Sequence, residues 1–284
     1  MSPHKRFTVK RRDGVIALGP KALIMGILNV TPDSFSDGGT HTTLADTVAH
    51  ARQMVTQGAD IIDVGGESTR PGADAVAVQA ELDRVVPALE ALADAELDAL
   101  VSIDTYKALV ADQALQSGAQ IVNDVYGLQR DPEIADVAAL HGAPVIIMHW
   151  DTKRDTGKDL IAEMRRYFEV SLEIAAKAGI EDERIMLDPG FGFGKSFAEN
   201  YALLRRLSEL NTMGYPLLAG TSRKSMIGKL LDVEPGARVA GTVASNVLAY
   251  QAGAHVFRVH DVAAHSDALR VAEATFYGPP KEIV

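Results

Sequence analysis

Apolar residues fall into short unbroken runs, and the stretches between the runs carry helical spacing. Eight runs stand out: ALIMGIL (22–28), DIIDV (60–64), ALVSI (99–103), QIV (120–122), PVIIM (144–148), RIML (184–187), PLLA (216–219) and HVFRV (255–259). None alternates with polar residues, as expected for strands covered on both faces. Between the first two runs, Leu44, Val48, Ala51 and Val55 share one helical face, and Thr43-x-x-Asp46 reads as a capping box. Leu82, Val85, Val86, Leu89 and Leu92 define a second helix. The spacing predicts further helices over 107–117, 132–140, 159–178, 199–212, 238–251 and 261–276.

Four runs are introduced by Gly-Ala-x, at Gly58, Gly118, Gly142 and Gly253. A left-handed glycine that stops a helix before a buried strand explains the recurrence. Eight helix–strand units in this length predict a (β/α)8 TIM barrel, with a doubly wound open sheet as the rival arrangement. Ahead of the first run, FTV, Arg12-Asp13-Gly14 and VIAL read as a hairpin with an Asp-Gly turn, suited to plugging the N-terminal end of the barrel. No Pro- or Ser-rich linker interrupts the chain. The expectation is one domain over 1–284, with the hairpin at about 7–18 and the barrel at about 22–276.

Composition narrows the function more than the fold. The 284 residues are 47% hydrophobic and 23% charged, an ordinary globular balance. There is no cysteine, which removes disulfides, thiolate zinc sites and cysteine nucleophiles and suits the reducing cytoplasm. Lys+Arg 28 against Asp+Glu 38 gives a net charge of −10, a poor basis for binding nucleic acid. An anionic substrate would therefore need a local basic pocket. No apolar run is long enough to span a membrane, and the basic start MSPHKRFTVKRR is not followed by an apolar signal core.

Barrel enzymes place their chemistry at the C-terminal strand ends. Here every run ends in polar or glycine-rich sequence. Two groups emerge. Asp104, Asn123 and Asp188 are acceptors suited to the N–H edge of a flat amino-pyrimidine. Thr69, Arg70, Arg223, Lys224, Arg258 and His260 offer cations and hydroxyls suited to phosphate oxygens. Together they suggest a phosphorylated heterocycle. Taken singly, Asp104 also fits a helix cap, Arg258 a structural ion pair, and His149 a packed rim residue. Gly190-x-x-x-Gly194-Lys195-Ser196 is one residue short of a Walker A loop, and Gly192-x-Gly194-x-x-Phe197 lacks the third glycine of a dinucleotide fingerprint. No metalloprotease, EF-hand or nucleophile-elbow pattern occurs.

Seven blocks, in order and spacing, resemble the dihydropteroate synthase family. They are GILNVTPDSFSDGG (26–39), DIIDVGGESTRPGA (60–73), SIDTYK (102–107), GAQIVNDVYGL (118–128), IMLDPGFGFGK (185–195), GTSRKSMIG (220–228) and RVHDV (258–262). The resemblance implies a transferase of folate biosynthesis. It would join 6-hydroxymethyl-7,8-dihydropterin pyrophosphate to p-aminobenzoate, release pyrophosphate with the help of Mg²⁺, and proceed through a pterin-stabilised cation. It also implies residue roles. Asp104, Asn123, Asp188 and Lys224 would hold the pterin, the two carboxylates stabilising the cation. Asn29 would help hold Mg²⁺. Thr69, Arg258 and His260, with Arg70 less directly, would bind the leaving group. Asp33, Phe35 and Pro71 would close over p-aminobenzoate, with Phe193 and Lys224 forming its pocket and Ser225, at a helix N-terminus, meeting its carboxylate. Met148, Gly220, Ser222 and Arg223 complete the implied substrate-binding set.

The resemblance further implies small-molecule substrates only, sulfonamides as mimics of p-aminobenzoate, and a homodimer. The helices at 238–251 and 261–276, with Val243, Val247 and Leu248, are candidates for the dimer face unless those side chains pack on the barrel. Gly38-Gly39 and Gly65-Gly66 suit hinges, so the first two loops, 31–39 above all, are expected to be weakly ordered without ligand. Two positions depart from the common pattern: Ala108 stands where many relatives have Pro, and Trp150 where many have Met. A pterin-dependent methyltransferase would share the Asp/Asn/Asp grip but not need the NVTPDSF loop. A catalytically silent pterin-binding paralogue would keep every residue and lack turnover.

Overall fold

The computed structural model describes residues 4–31, 43–68 and 75–280. An antiparallel hairpin of β1 (Phe7–Arg11) and β2 (Gly14–Leu18) comes first. The first half of the main body runs β3 (Leu23–Asn29), α1 (Leu44–Thr56), β4 (Ile61–Gly65), α2 (Val78–Asp94), β5 (Leu100–Asp104), α3 (Ala108–Gln116), β6 (Ile121–Asp124) and α4 (Glu133–His141). The second half runs β7 (Val145–Met148), α5 (Leu160–Ala178), β8 (Ile185–Asp188), α6 (Phe197–Arg206), β9 (Leu218–Ala219), α7 (Ser225–Leu231), α8 (Val239–Gln251), β10 (Val256–Val259) and α9 (Val262–Tyr277).

Strands β3 to β10 form one parallel sheet in the order β8-β7-β6-β5-β4-β3-β10-β9. A parallel bridge between Leu187 and Leu217 joins its two ends, so the sheet closes into the expected barrel. All four Gly-Ala-x glycines are left-handed, with φ of +103°, +110°, +61° and +99° at Gly58, Gly118, Gly142 and Gly253. Each reverses the chain after a helix and feeds the next strand. The Thr43–Asp46 capping box is present at α1.

Three details differ from the pattern. The hairpin turns on Arg12-Asp13, because Gly14 already pairs with Arg11. The helix expected over 199–212 ends as an α-helix at Arg206 and continues as a 3-10 helix, Leu207–Met213. The short α7 follows β9; its start at Ser225 is the one the resemblance implies, although the spacing predicts no helix there.

The barrel has two linings, stacked along its axis. At the N-terminal end, Leu23, Met25, Ile61, Ile121, Ile146, Met186, Leu218 and Val256 point inward and pack with Val9, Ile16 and Leu18 of the hairpin. The hairpin therefore seals that end, as expected. The outward residues of the same strands, among them Ile62, Val64, Val122, Val145 and Ile147, pack under the helices. Both faces of each strand are thus covered, which accounts for the unbroken apolar runs. Among the described residues no helix is long and apolar enough to cross a membrane.

Candidate active site

Side chains alternate along a strand, so the residue two places beyond each inward apolar residue also points inward. Ile61 is followed by Asp63, Ile121 by Asn123, Met186 by Asp188, Val256 by Arg258 and Leu100 by Ser102 and Asp104. The upper lining of the barrel is therefore polar where the lower one is apolar.

Arg258 organises this layer. Its Nε donates to Asp63 Oδ2 at 2.6 Å and its Nη2 to Asp104 Oδ2 at 2.6 Å. Asp63 also accepts from the Ser102 hydroxyl and from Asn123 Nδ2, the latter at 3.2 Å to Oδ2. Oδ1 of Asp104 is buried and has no hydrogen-bond partner among the described residues. Asp188 accepts from the Gly190 N–H at 2.7 Å. Asn123, Met148, Asp188, Phe193, Gly220, Lys224 and Arg258 line a single cavity at the mouth. The structure thus brings together most of the pterin set proposed from sequence. The carboxylate of Asp188 gives the cavity acceptor character, with the orphaned Asp104 oxygen buried in the same polar layer.

The electrostatics follow from burial. Burial raises Asp104 and Asp188 above the ordinary carboxylate range, with Arg258 pulling Asp104 back and the Gly190 N–H and Lys224 pulling Asp188 back. Burial, together with the neighbouring Arg258, lowers Lys224 to about 8. Its Nζ stands 4.0 Å over the Phe193 ring, a cation–π contact. The approach depends on Gly192, which has φ +81° and where a Cβ would come within 3.0 Å of the lysine stem. Burial beside Arg258 and Arg223 pushes His260 down to about 3, so near pH 7 it is neutral and acts as a hydrogen-bonding group. Its Nδ1 lies 2.9 Å from Ser222 Oγ, which also accepts from the His260 N–H.

Other proposed residues fall elsewhere. Arg223 has its side chain turned to Asp261, with Nε donating at 2.9 Å and Nη2 at 2.5 Å, so its fork is occupied by a carboxylate rather than aimed into the cavity. Ser225 opens α7 and is exposed at the rim. Trp150 stacks on Tyr126 with centroids 4.5 Å apart and approaches Phe193 at 4.9 Å, which places the departure from the common pattern beside the mouth. His149 is buried, with Nδ1 2.9 Å from Lys195 Nζ, and is no rim residue. Asp33, Phe35, Thr69, Arg70 and Pro71 lie outside the described residues, as does all of 31–39, where weak order is expected, beyond Thr31.

Among the described residues no cluster of three or more acidic or imidazole side chains is placed to hold a metal. Asn29 ends β3, and a Cβ on Gly65 would stand 3.5 Å from its Oδ1 and 3.7 Å from Asp104 Oδ2. The Asn29 amide oxygen and the Asp104 carboxylate therefore both border Gly65 at the end of the strands. A single oxygen ligand fits Mg²⁺ that keeps its waters and takes its remaining ligands from phosphates.

Sequence reasoning missed two residues. Asp63 was absorbed into an apolar run, although a charge inside DIIDV was itself the signal. Lys195 was noticed only as part of a failed Walker A match. Its buried Nζ donates to the Gly190 and Phe193 carbonyls at 2.9 and 3.0 Å, tying down the glycine-rich loop after β8.

Comparison with known proteins gives the family of the chain. The family described as pterin binding enzyme matches residues 25–260. The dihydropteroate synthase of Escherichia coli K12 is 50% identical over 258 residues, covering 89% of this chain and 91% of the relative. A structure of the Clostridium difficile dihydropteroate synthase with pteroic acid superposes with a TM-score of 0.88 at 50% identity, covering 92% of this chain and 98% of the other. The Xanthomonas albilineans enzyme with 4-aminobenzoic acid gives 0.90 at 46% identity, covering 97% and 100%. The chain belongs to the pterin-binding enzyme family and, within it, to the dihydropteroate synthases, which are transferases.

Proposed function

We propose that the chain transfers the dihydropterinylmethyl group of 6-hydroxymethyl-7,8-dihydropterin pyrophosphate to p-aminobenzoate, with Asp104, Asn123 and Asp188 as the pterin grip. The observation that carries this assignment is the buried acceptor layer facing Arg258 and Lys224 in one cavity. The bond from the exocyclic carbon to the pyrophosphate oxygen breaks first, leaving a cation conjugated with the pterin. The p-aminobenzoate nitrogen then attacks that carbon and gives up one proton. Asp104 and Asp188 stabilise the cation because both carboxyl groups are already positioned in a water-poor site before it forms.

Arg258 and His260, with Ser222 behind His260, bind the leaving oxygens at the rim. Thr69 and Arg70 join them from the second loop. Phe193, Lys224 and Ser225 receive p-aminobenzoate, and Asp33, Phe35 and Pro71 close over it. Asn29 would hold Mg²⁺, which when bound neutralises charge on the pyrophosphate. Sulfonamides compete at the p-aminobenzoate position. The enzyme works in the cytoplasm as a homodimer, with Leu248 and Val271 exposed on α8 and α9 as the apolar contact. Val247 packs on the barrel instead. A one-chain mass by light scattering at micromolar concentration removes the dimer.

The test is pyrophosphate release from the pterin substrate with Mg²⁺, with and without p-aminobenzoate. Release that requires p-aminobenzoate and yields dihydropteroate is expected. A folded protein that binds pterin but releases nothing would be the silent paralogue.

A further inference from the structure

We infer that Asp63, which touches no substrate in the proposed scheme, sets which heterocycle the site accepts by fixing the orientation of the Asn123 amide. Asp63 sits inside β4 and is fully buried. Its two oxygens meet Arg258 Nε, the Ser102 hydroxyl and Asn123 Nδ2. An ionised carboxylate only accepts hydrogen bonds, so the end of the Asn123 amide turned toward it must be the NH₂. The carbonyl end then points away from Asp63, and Asn123 lines the cavity.

An asparagine side chain is ambiguous by nature, because exchanging its ends exchanges a donor for an acceptor. A neighbour that can only accept removes the ambiguity. Asp63 thus turns Asn123 into an acceptor beside Asp188 in the cavity, and the edge these two form reads donors, while Lys224 and Arg258 offer donors elsewhere in the lining. Asp63 is ion-paired with Arg258, which offsets the cost of burying its carboxylate. Asp63 is in this sense a positioning residue: it acts on the ligand through Asn123. A mismatched ligand would leave a buried acceptor facing an acceptor, which discriminates strongly.

This inference rests on the mouth being the pterin site, and the test separates the two. Binding of pterin is compared with binding of lumazine, whose 2-carbonyl replaces the 2-amino donor, in the wild type, in Asp63→Asn, in Asn123→Ala and in the double variant. Failure of the wild type to bind pterin would sink the site assignment. With that binding in place, Asp63→Asn is expected to narrow the pterin-to-lumazine affinity ratio at least roughly tenfold, because an amide neighbour lets Asn123 turn round. The same change made in Asn123→Ala should leave the ratio unaltered. A ratio unchanged in Asp63→Asn, or one that narrows equally in both backgrounds, overturns the inference. Should Asp63→Asn not fold, neutron diffraction on the wild-type protein decides. Deuterons of Asn123 on the Asp63 side support the inference, and deuterons confined to the cavity side refute it.

Discussion

The lower and upper linings of the barrel are built by the same strands, two residues apart, and are opposite in character. Ile61, Ile121, Met186 and Val256 bury hydrocarbon against the hairpin. Asp63, Asn123, Asp188 and Arg258 bury polar groups in the next layer. Each fully buried aliphatic side chain contributes about 1.5–3 kcal/mol to folding. Each buried ion costs solvation that its partners only offset. The difference teaches a division of labour: the floor supplies stability that the mouth consumes, and the mouth uses the resulting rigidity to keep charges where water would otherwise scatter them.

The largest expected effect comes from the mouth. Asp188→Ala should lower kcat/KM by about 10³-fold, the scale for losing one preorganised electrostatic group. Its Tm should not fall. Burial raises the Asp188 pKa, so near neutral pH the folded state holds its proton more tightly than the unfolded chain does. Ionisation of this group therefore opposes folding as pH rises, and its removal relieves that cost. Loss of stability with activity retained would contradict the division.

On the floor the pattern should invert. Ile61→Ala opens a cavity among fully buried neighbours and should cost about 2–5 kcal/mol. A calorimetric Tm lowered by roughly 4–20 °C is expected, on the scale of about 2–4 °C per kcal/mol for a chain of this size. Steady-state kinetics at 25 °C should stay close to wild type. A large rise in KM for pterin would show that the two layers are not separable.

The smallest effect, and the one that sharpens the picture of the mouth, is a pH profile. Burial lowers Lys224 to about 8, so its charge is lost as pH rises through that value rather than through the ordinary lysine range. Above it, kcat/KM should fall roughly tenfold per pH unit. Lys224→Arg cannot lose its proton and should lack this limb, whatever its rate. A wild-type profile flat to high pH would remove Lys224 from the required cations.

Most of this architecture is legible in the sequence, for definite reasons. Unbroken apolar runs mark strands covered on two faces, and the Gly-Ala-x repeat marks each helix end. The acceptors at the strand ends are visible because polarity begins there. Inward parity is not visible, because inside and outside residues are equally apolar until the last turn of the barrel. That is why Asp63 hides within DIIDV. Partners across loops are also invisible: nothing in SRKS says that Arg223 will fold back on Asp261. Helix α7 leaves no periodic signal because its seven residues are too few to display one, so only the resemblance implies its start at Ser225.

The join between β8 and β9 has a further consequence. It consists of one bridge, at Leu187 and Leu217, beside a strand of only two residues. Few backbone hydrogen bonds cross it, and such places open at the smallest free-energy cost. Asp188 leaves the barrel on one side of this seam and Lys224 follows on the other. The carboxylate and the ammonium therefore stand on opposite jambs of the wall's loosest joint. A breathing motion there would change the span between them while the sealed floor stays shut, so the width of the mouth can vary without unfolding the vessel.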